Sequence, residues 1–384
     1  MQHNSPRVKK RIAILGATGS IGKSAVDIIS RNKNDFEAVL LSSRRSSLEE
    51  LSRQFPSAVC ITTERDSDEK LHDAISGLSP DITVNGISGA AGLLPSVAAI
   101  KAGSNLALAN KETIVMAGGL VLRLAREKNV NIIPVDSEHS AIFHLLKINR
   151  QEEFLHNNTE KQADDAVSGI LLTASGGPFR NFSLQEMEKI SVKDALSHPT
   201  WNMGTKITID SASMANKGLE IIEACVFFDI PPEKIKVVIH PQSIVHSMIR
   251  LCNGVIYAQL SKPDMRHPIH DALYWPATTP LNIDFLNFDS LNLEFNKPDL
   301  QKFPMLRIAW TAAKKGGLYT CAYNAANETA VSAFVEQKIK FTDIPLLTEQ
   351  VLQSDWTGDD LNLEAILHAD REARLKALSV LNCR

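Results

Sequence analysis

Along the first 150 residues, short apolar runs alternate with segments in which apolar positions recur every three or four residues. The runs at 11–15 (Arg-Ile-Ala-Ile-Leu), 37–41, 58–61, 81–87, 105–109 and 131–135 are largely continuous rather than alternating. Strands covered on both faces read this way. Between them, stretches such as 24–30 and 93–103 carry the spacing of amphipathic helices. Strand and helix in alternation predict a parallel sheet with helices on both faces. The last run ends at Val135, and Asp136 and Glu138 follow two positions apart. If the strand continues, their side chains point to the same side.

The texture then changes. Residues 149–166 are polar and without period, and are expected to connect domains. Strand patterns resume at 168–175, 204–210, 234–240, 243–251 and 255–260, with Asn253-Gly254 as a hairpin signal between the last two. From Pro304 the pattern is helical, at 305–315, 325–337, 345–353 and 363–378. The expected organisation is an N-terminal Rossmann-like α/β domain over 1–150, an α+β connective domain over 151–290, and a linker with a C-terminal α-helical bundle over 291–384.

Composition narrows the classes. Charged residues make up 22% of the chain and the net charge is −3, which argues against a general nucleic-acid binder. No apolar run approaches the ~18 residues of a membrane span. The basic N-terminus is followed by only four apolar residues before a glycine, too few for a signal peptide. Five cysteines without CxxC spacing suit reduced core thiols, so a cytoplasmic protein is expected.

Gly16, Gly19 and Gly22 lie between the first strand and first helix. Glycines there permit a tight turn and close approach to a phosphate at a helix N-terminus, a variant of the dinucleotide fingerprint. A plain tight turn is the simpler alternative. The second strand does not end in the acid that binds the ribose of NAD. It ends Ser43-Arg44-Arg45, and arginine suits a phosphate monoester, so NADP is the expected cofactor; solvated loop arginines are the alternative.

Asp136, Glu138 and a third acid, Glu220, would repel if they converged, by about 4 kcal/mol per pair at ~4 Å and an effective dielectric of ~20. An all-oxygen set of this kind suits Mg²⁺ or Mn²⁺. Spacing alone favours three unrelated surface acids, because nothing in it brings residue 220 to residue 136. If 211–220 is helical, Asn216 and Glu220 share a face flanked by Lys217. The stretches 175–180 (Ser-Gly-Gly-Pro-Phe-Arg) and 209–218 supply hydroxyls, an amide and a lysine, which are the donors a phosphate needs. His198, Trp201 and His240 lie in turns rich in proline, and a lone histidine is more often structural than catalytic.

Taken in order, GATGSIG (16–22), ANKE (109–112), PVDSEHSAIF (134–143), LLTASGGPFR (171–180), HPTWNMG (198–204), DSASMANKGLE (210–220), IHPQSIVHSM (239–248) and NAANE (324–328) resemble the 1-deoxy-D-xylulose 5-phosphate reductoisomerases over nearly the whole chain. The resemblance implies an NADPH domain, a connective catalytic domain and a helical C-terminal bundle, in a homodimer paired through the middle domain. It implies conversion of 1-deoxy-D-xylulose 5-phosphate to 2-C-methyl-D-erythritol 4-phosphate. Asp136, Glu138 and Glu220 would hold the divalent cation. Ser175, Ser211, Asn216 and Lys217 would hold the substrate phosphate, with Lys111, Ser137 and His198 on the rest of the substrate. Lys111, Glu138 and His198 would be catalytic. Thr18, Gly19, Ser20, Ile21, Asn110, Glu112 and Gly204, with Ser43, Arg44 and Arg45, would bind NADPH. Residues 175–204 match a mobile flap in which Trp201 covers the substrate. Ser43-Arg44-Arg45 departs from the Gly-Lys-Asn common in relatives.

Two other readings share the glycine loop. A semialdehyde dehydrogenase needs a nucleophilic cysteine, whereas Cys60 and Cys225 sit in core-like contexts. A non-catalytic NADP sensor would have no use for acids and phosphate donors together. The expected partner is a small sugar phosphate, with no nucleic acid and no membrane.

Overall fold

The computed structural model describes residues 8–150, 166–197 and 204–382, excepting the side chains of 149 and 150. By contacts the chain forms two units. The first holds residues up to Thr113, Val121–Asp136 and Asp264–Asn282; the second holds Ile114–Leu120, Ser137–Pro263 and Ile283 onward.

The first unit is built on a parallel sheet of β1 (Lys10–Leu15), β2 (Phe36–Ser43), β3 (Val59–Thr62), β4 (Ile82–Asn85), β5 (Asn105–Leu108) and β6 (Ile132–Pro134). Its spatial order is β3-β2-β1-β4-β5-β6, so the winding reverses between β1 and β4. At such a reversal the C-terminal strand ends open a crevice where ligands bind in this architecture. Helices α1 (Ser20–Arg31), α2 (Glu49–Gln54), α3 (Thr63–Asp66), α4 (Asp68–Leu78), α5 (Leu93–Lys101) and α6 (Lys111–Lys128) connect the strands. Ile12, Ile14, Leu40, Leu41, Val84, Leu106 and Leu108 are buried, as continuously apolar strands between helical layers must be.

The second unit begins with α7 (Ser137–Arg150) and a mixed sheet of β7 (Val167–Ala174), β8 (Ile235–Ile239), β9 (Val245–Leu251) and β10 (Ile256–Leu260). The order is β10-β9-β7-β8, with β7 and β8 parallel and the other pairs antiparallel. Gly254 turns the β9–β10 hairpin at φ +88°, as Asn-Gly predicts. Between β7 and β8 lie α8 (Leu184–Met187), α9 (Val192–Ala195), α10 (Thr205–Ala212) and α11 (Ala215–Phe228).

The chain then returns to the first unit in α12 (Arg266–Tyr274), which buries Ile269, Ala272 and Leu273. The Tyr274 hydroxyl donates to Asp35 at 2.7 Å, its ring meets Phe36 edge-on, and the Lys10 ammonium donates to the Leu273 carbonyl at 2.9 Å. The second unit ends in α13 (Pro304–Lys315), α14 (Leu318–Val335), α15 (Asp343–Leu352) and α16 (Leu363–Asn382), where α14 packs on α15 and α16.

Three expectations change. Residues 205–212 form helix α10 rather than a strand. Thr-Lys-Ile-Thr-Ile-Asp alternates at period two, but burial of Thr208, Ile209, Asp210 and Ala212 and the Lys206–Asp210 pair one turn apart favour a helix. Asp136 and Glu138 do not share a strand, because β6 stops at Pro134 and Glu138 lies in the first turn of α7. Contacts also do not divide the chain at 150 and 290: α12 packs with α1, β5 and β6, and the helices after 304 belong with the connective region in one unit.

Candidate active site

In the first unit the glycine loop is fixed by sterics. Gly16 has φ +76°, and a Cβ there would meet the Gly86 carbonyl oxygen at 3.0 Å. At Gly22 a Cβ would fall 2.3 Å from the Gly16 oxygen. The loop therefore folds onto the start of α1, whose N-cap, Gly19, supplies no side chain. Gly19 and Ser20 are exposed, with Thr18 and Ile21 half-buried, so the helix N-terminus can face an anion. The Gly86–Gly89 segment after β4, which the sequence patterns did not single out, lies across this loop. Its signal was a polar Asn-Gly at the end of a buried strand.

Asn110 caps α6 and ties that segment down. Its Oδ1 accepts from the Thr113 N–H at 3.0 Å, and its Nδ2 donates to the Ile87 and Gly89 carbonyls at 2.8 and 2.9 Å and to Glu112 Oε2 at 3.0 Å. Both Asn110 and Glu112 are buried, which fits them to shape the crevice. After β2 the Ser43 hydroxyl turns inward onto the Ser46 carbonyl at 2.6 Å, while Arg44 and Arg45 are exposed. Arg45 pairs with Glu64 at 2.9 Å beside a cleft of about 500 Å³ that Arg65 also lines. Also in this unit, Lys111, 4% exposed, sets its ammonium 2.5 Å from Asp136 Oδ2.

In the second unit, residues far apart in sequence converge. The Lys217 ammonium lies 2.7 Å from Glu138 Oε1 and also touches Glu220 Oε2. Asn216 Nδ2 donates to Glu220 Oε1 at 2.6 Å, and the Ser137 hydroxyl donates to Glu138 Oε2 at 2.5 Å. Glu220 is 1% exposed and Lys217 4%, so the set is largely shielded from water. Here α7 supplies Ser137 and Glu138, and the first two turns of α11 supply the rest. Buried carboxylates that converge need a cation, and the ammonium meets that need.

After β7 comes Ser175-Gly176-Gly177, with both glycines at positive φ. A Cβ on Gly177 would fall 2.7 Å from the Ser211 carbonyl oxygen, so the two predicted phosphate loops touch. Helix α11 starts at Ala215 without a side-chain cap after Met214 in the left-handed region. Gly204 is exposed at the N-cap of α10. His198 and Trp201, and the rest of the flap over 198–203, lie outside the described residues.

His139 and His240 make contacts that brace the fold. His139 is fully buried; Nε2 lies 3.0 Å from the Glu220 carbonyl and Nδ1 3.4 Å from Glu223, so the ring braces α11 behind Glu220. Glu223 was missed in the sequence, although an acid three residues after Glu220 was a signal. His240 Nδ1 meets the Glu294 carbonyl at 2.8 Å, and its Nε2 accepts two backbone N–H groups at 3.1 Å. The thiols do not suit a nucleophile: burial pushes Cys225 up to about 12 and also raises Cys60 and Cys321. Cys252 is exposed in the turn after β9.

Sequence profiles described as 1-deoxy-D-xylulose 5-phosphate reductoisomerase match residues 12–79 and 66–118. Profiles for its C-terminal domains match 132–228 and 260–376. The 1-deoxy-D-xylulose 5-phosphate reductoisomerase of Pelodictyon phaeoclathratiforme is 45% identical over 95% of this chain and 98% of its own length. The chain belongs to the 1-deoxy-D-xylulose 5-phosphate reductoisomerase family. The Treponema denticola reductoisomerase is likewise 45% identical, over 97% of both chains. Among solved structures, a DOX-P reductoisomerase in complex with NADPH, fosmidomycin and magnesium is similar at TM-score 0.87 and 38% identity, covering 97% of this chain and 98% of the other. The Zymomonas mobilis reductoisomerase with NADPH gives 0.84 at 38% identity, covering 97% and 99%.

Proposed function

We propose that Asp136, Glu138 and Glu220 hold a divalent cation, Mg²⁺ or Mn²⁺, and that Ser175, Ser211, Asn216 and Lys217 hold the substrate phosphate. As a reductoisomerase the chain converts 1-deoxy-D-xylulose 5-phosphate to 2-C-methyl-D-erythritol 4-phosphate with NADPH, in non-mevalonate isoprenoid synthesis. The observation that carries the site assignment is the Lys217 ammonium bridging Glu138 and Glu220. It marks a pocket built for positive charge next to loops suited to an anion. The donor set is all oxygen, which fits a hard cation. When bound, the cation polarises the ketone and orients the adjacent hydroxyl.

The chain's own residues supply the rest. Lys217 would offer its ammonium to the phosphate when the acids hold the cation, and Ser175 and Ser211 would add hydroxyl donors to it. Glu138 accepts the hydroxyl proton whose departure lets the carbon skeleton break, by retro-aldol and aldol steps, and Lys111 serves as an ammonium donor. Ser137, His198 and Trp201 hold and cover the substrate, keeping both fragments aligned and water out.

The Gly16–Gly22 cradle, which any side chain would fill, fits a dinucleotide pyrophosphate. Thr18, Gly19, Ser20 and Ile21 bind there, Asn110, Glu112 and Gly204 complete the cofactor contacts, and Ser43, Arg44 and Arg45 form the loop for the additional phosphate of NADPH. A homodimer pairs through the edge strand β10, where Val255, Ile256 and Tyr257 are exposed, because an open apolar edge invites a second copy. The protein works in the cytoplasm, in keeping with free thiols at Cys60, Cys225, Cys252 and Cys321. Among the described residues no helix is long and apolar enough to cross a membrane.

The test is NADPH oxidation followed by absorbance with 1-deoxy-D-xylulose 5-phosphate. Turnover should stop on chelation and return with Mg²⁺ or Mn²⁺. Undiminished turnover in metal-free buffer refutes the cation assignment. Glu220→Gln should lose turnover and keep NADPH binding; loss of both would mean the two sites are not separate.

A further inference from the structure

Behind the phosphate loop lies a charged network that the proposed reaction does not use. Asp210, on the last turn of α10, is 1% exposed and immediately precedes Ser211. Its Oδ1 accepts from Asn327 Nδ2 on α14 at 2.8 Å, and its Oδ2 lies 2.9 Å from the Lys206 ammonium one turn earlier. Lys206 also reaches Glu328 Oε1, at 3.9 Å. Glu328 is held in turn by Asn324 Nδ2 at 3.2 Å and by Arg374 on α16 at 2.7 Å, and Arg374 clamps Asp370 through Nε and Nη2 at 2.8 and 2.9 Å.

Two features set this apart from ordinary packing. The network ties α14 and α16 to Asp210 in the last turn of α10, just before Ser211 and the Ser213-Met214 turn into α11. It also leaves the buried Oδ1 atoms of Asn324 and Asn327 without hydrogen-bond partners. A native interior seldom tolerates such atoms unless a particular arrangement requires them. Here the requirement is that both amides aim their Nδ2 groups at carboxylates.

We infer that Asp210, gripped by Asn327 and Lys206 and backed by Glu328 and Arg374, is a positioning residue that sets the Ser211–Lys217 loop for the phosphate end of the substrate. The inference rests on the phosphate reading of Ser211, Asn216 and Lys217. The grip acts through backbone: the Asp210 carbonyl accepts the Ser213 hydroxyl at 3.3 Å, which in turn accepts the Ala215 N–H at the start of α11.

The test is steady-state kinetics of the full chain with Mg²⁺ and NADPH, with inorganic phosphate as a competitive inhibitor. Asn327→Ser and Asp210→Asn remove one arm each. Arg374, 30% exposed, is the least buried member of the network, so Arg374→Met serves as the variant least disruptive to packing. Losing a hydrogen bond to a charged group predicts that Asn327→Ser raises the substrate KM and the phosphate inhibition constant together, about tenfold, with less than a twofold change in kcat. Arg374→Met should raise both by about threefold, and Asp210→Asn, which keeps the shape, should fall below Asp210→Ala in its effect. Lowered melting temperature with KM and the inhibition constant unmoved in Asn327→Ser and Arg374→Met overturns the inference. Lys217→Ala separates the two readings: an unchanged phosphate inhibition constant there overturns the phosphate assignment and this inference with it, whereas a raised constant there leaves Asn327→Ser as the deciding variant.

Discussion

Lys217→Met is the sharpest perturbation of the acid cluster, because it removes the ammonium and keeps the volume. An ammonium 2.7 Å from Glu138 Oε1 attracts it by about 6 kcal/mol at an effective dielectric of ~20. Touching both acids, it holds their oxygens within roughly 5 Å, where two unit charges repel by about 3 kcal/mol at the same dielectric. Desolvation offsets much of the gross attraction, and measured losses from breaking one buried pair are about 3–5 kcal/mol. For a unit of this size that corresponds to a fall of roughly 10 °C in melting temperature. The assay is thermal unfolding with and without millimolar MgCl₂ against NaCl of equal ionic strength. If Glu138 and Glu220 take a divalent ion, that ion displaces the ammonium in the wild type, whereas in the variant it relieves their bare repulsion. Mg²⁺ should therefore raise the melting temperature more in Lys217→Met than in the wild type. Equal shifts, or a variant that melts like the wild type, would refute the view that Lys217 holds the cation's place.

Three further predictions are independent of that cluster. Gly22→Ala forces a methyl into the Gly16 carbonyl and should weaken NADPH binding, read by nicotinamide fluorescence, at least tenfold, consistent with overpacking costs of about 1–3 kcal/mol; unchanged affinity would remove the loop from the cofactor site. Tyr257→Glu on β10 should convert a dimer to a monomer in light scattering, and a variant that stays dimeric rules out this edge. Cys225 is raised in the folded state to about 12 from 9.0, so its contribution to stability is intact below pH 9 and is lost as pH climbs from 9 toward 12. Denaturant melts should accordingly show less alkaline loss in Cys225→Ala than in the wild type, and equal loss would contradict the burial argument.

The parallel sheet could be read from sequence because strands such as 11–15 and 105–109 are buried on both faces and announce themselves as continuous apolar runs. The hairpin at Asn253-Gly254 was equally local. Residues 205–212 alternate Ile207 and Ile209 with polar neighbours, as a strand does, while the helix is held by the Lys206–Asp210 pair one turn apart and by tertiary contacts such as Asn327, more than a hundred residues away. Glu220 shows the same limit at the site. Nothing in local spacing brings it to Glu138; the family pattern suggested the pairing, and Lys217 makes it visible as geometry. A shared direction for Asp136 and Glu138 would hold only if the strand continued past Val135, but β6 stops at Pro134 and Glu138 lies in the first turn of α7, a strand-to-helix junction that periodicity does not describe. The His139–Glu223 brace left only the faint signal of a repeated acid.

The return of α12 to the first unit has a consequence for how the protein is made. The nucleotide-type sheet is complete in sequence by Pro134, yet the helix that covers Phe36 and answers Asp35 and Lys10 does not leave the ribosome until about residue 274. Throughout that interval of synthesis one side of the sheet waits for its cover, and most of the second unit is translated in the meantime. A fragment ended at residue 150 would keep every strand of the sheet and still lack part of its hydrophobic shell, so the gene cannot be cut between two self-sufficient halves.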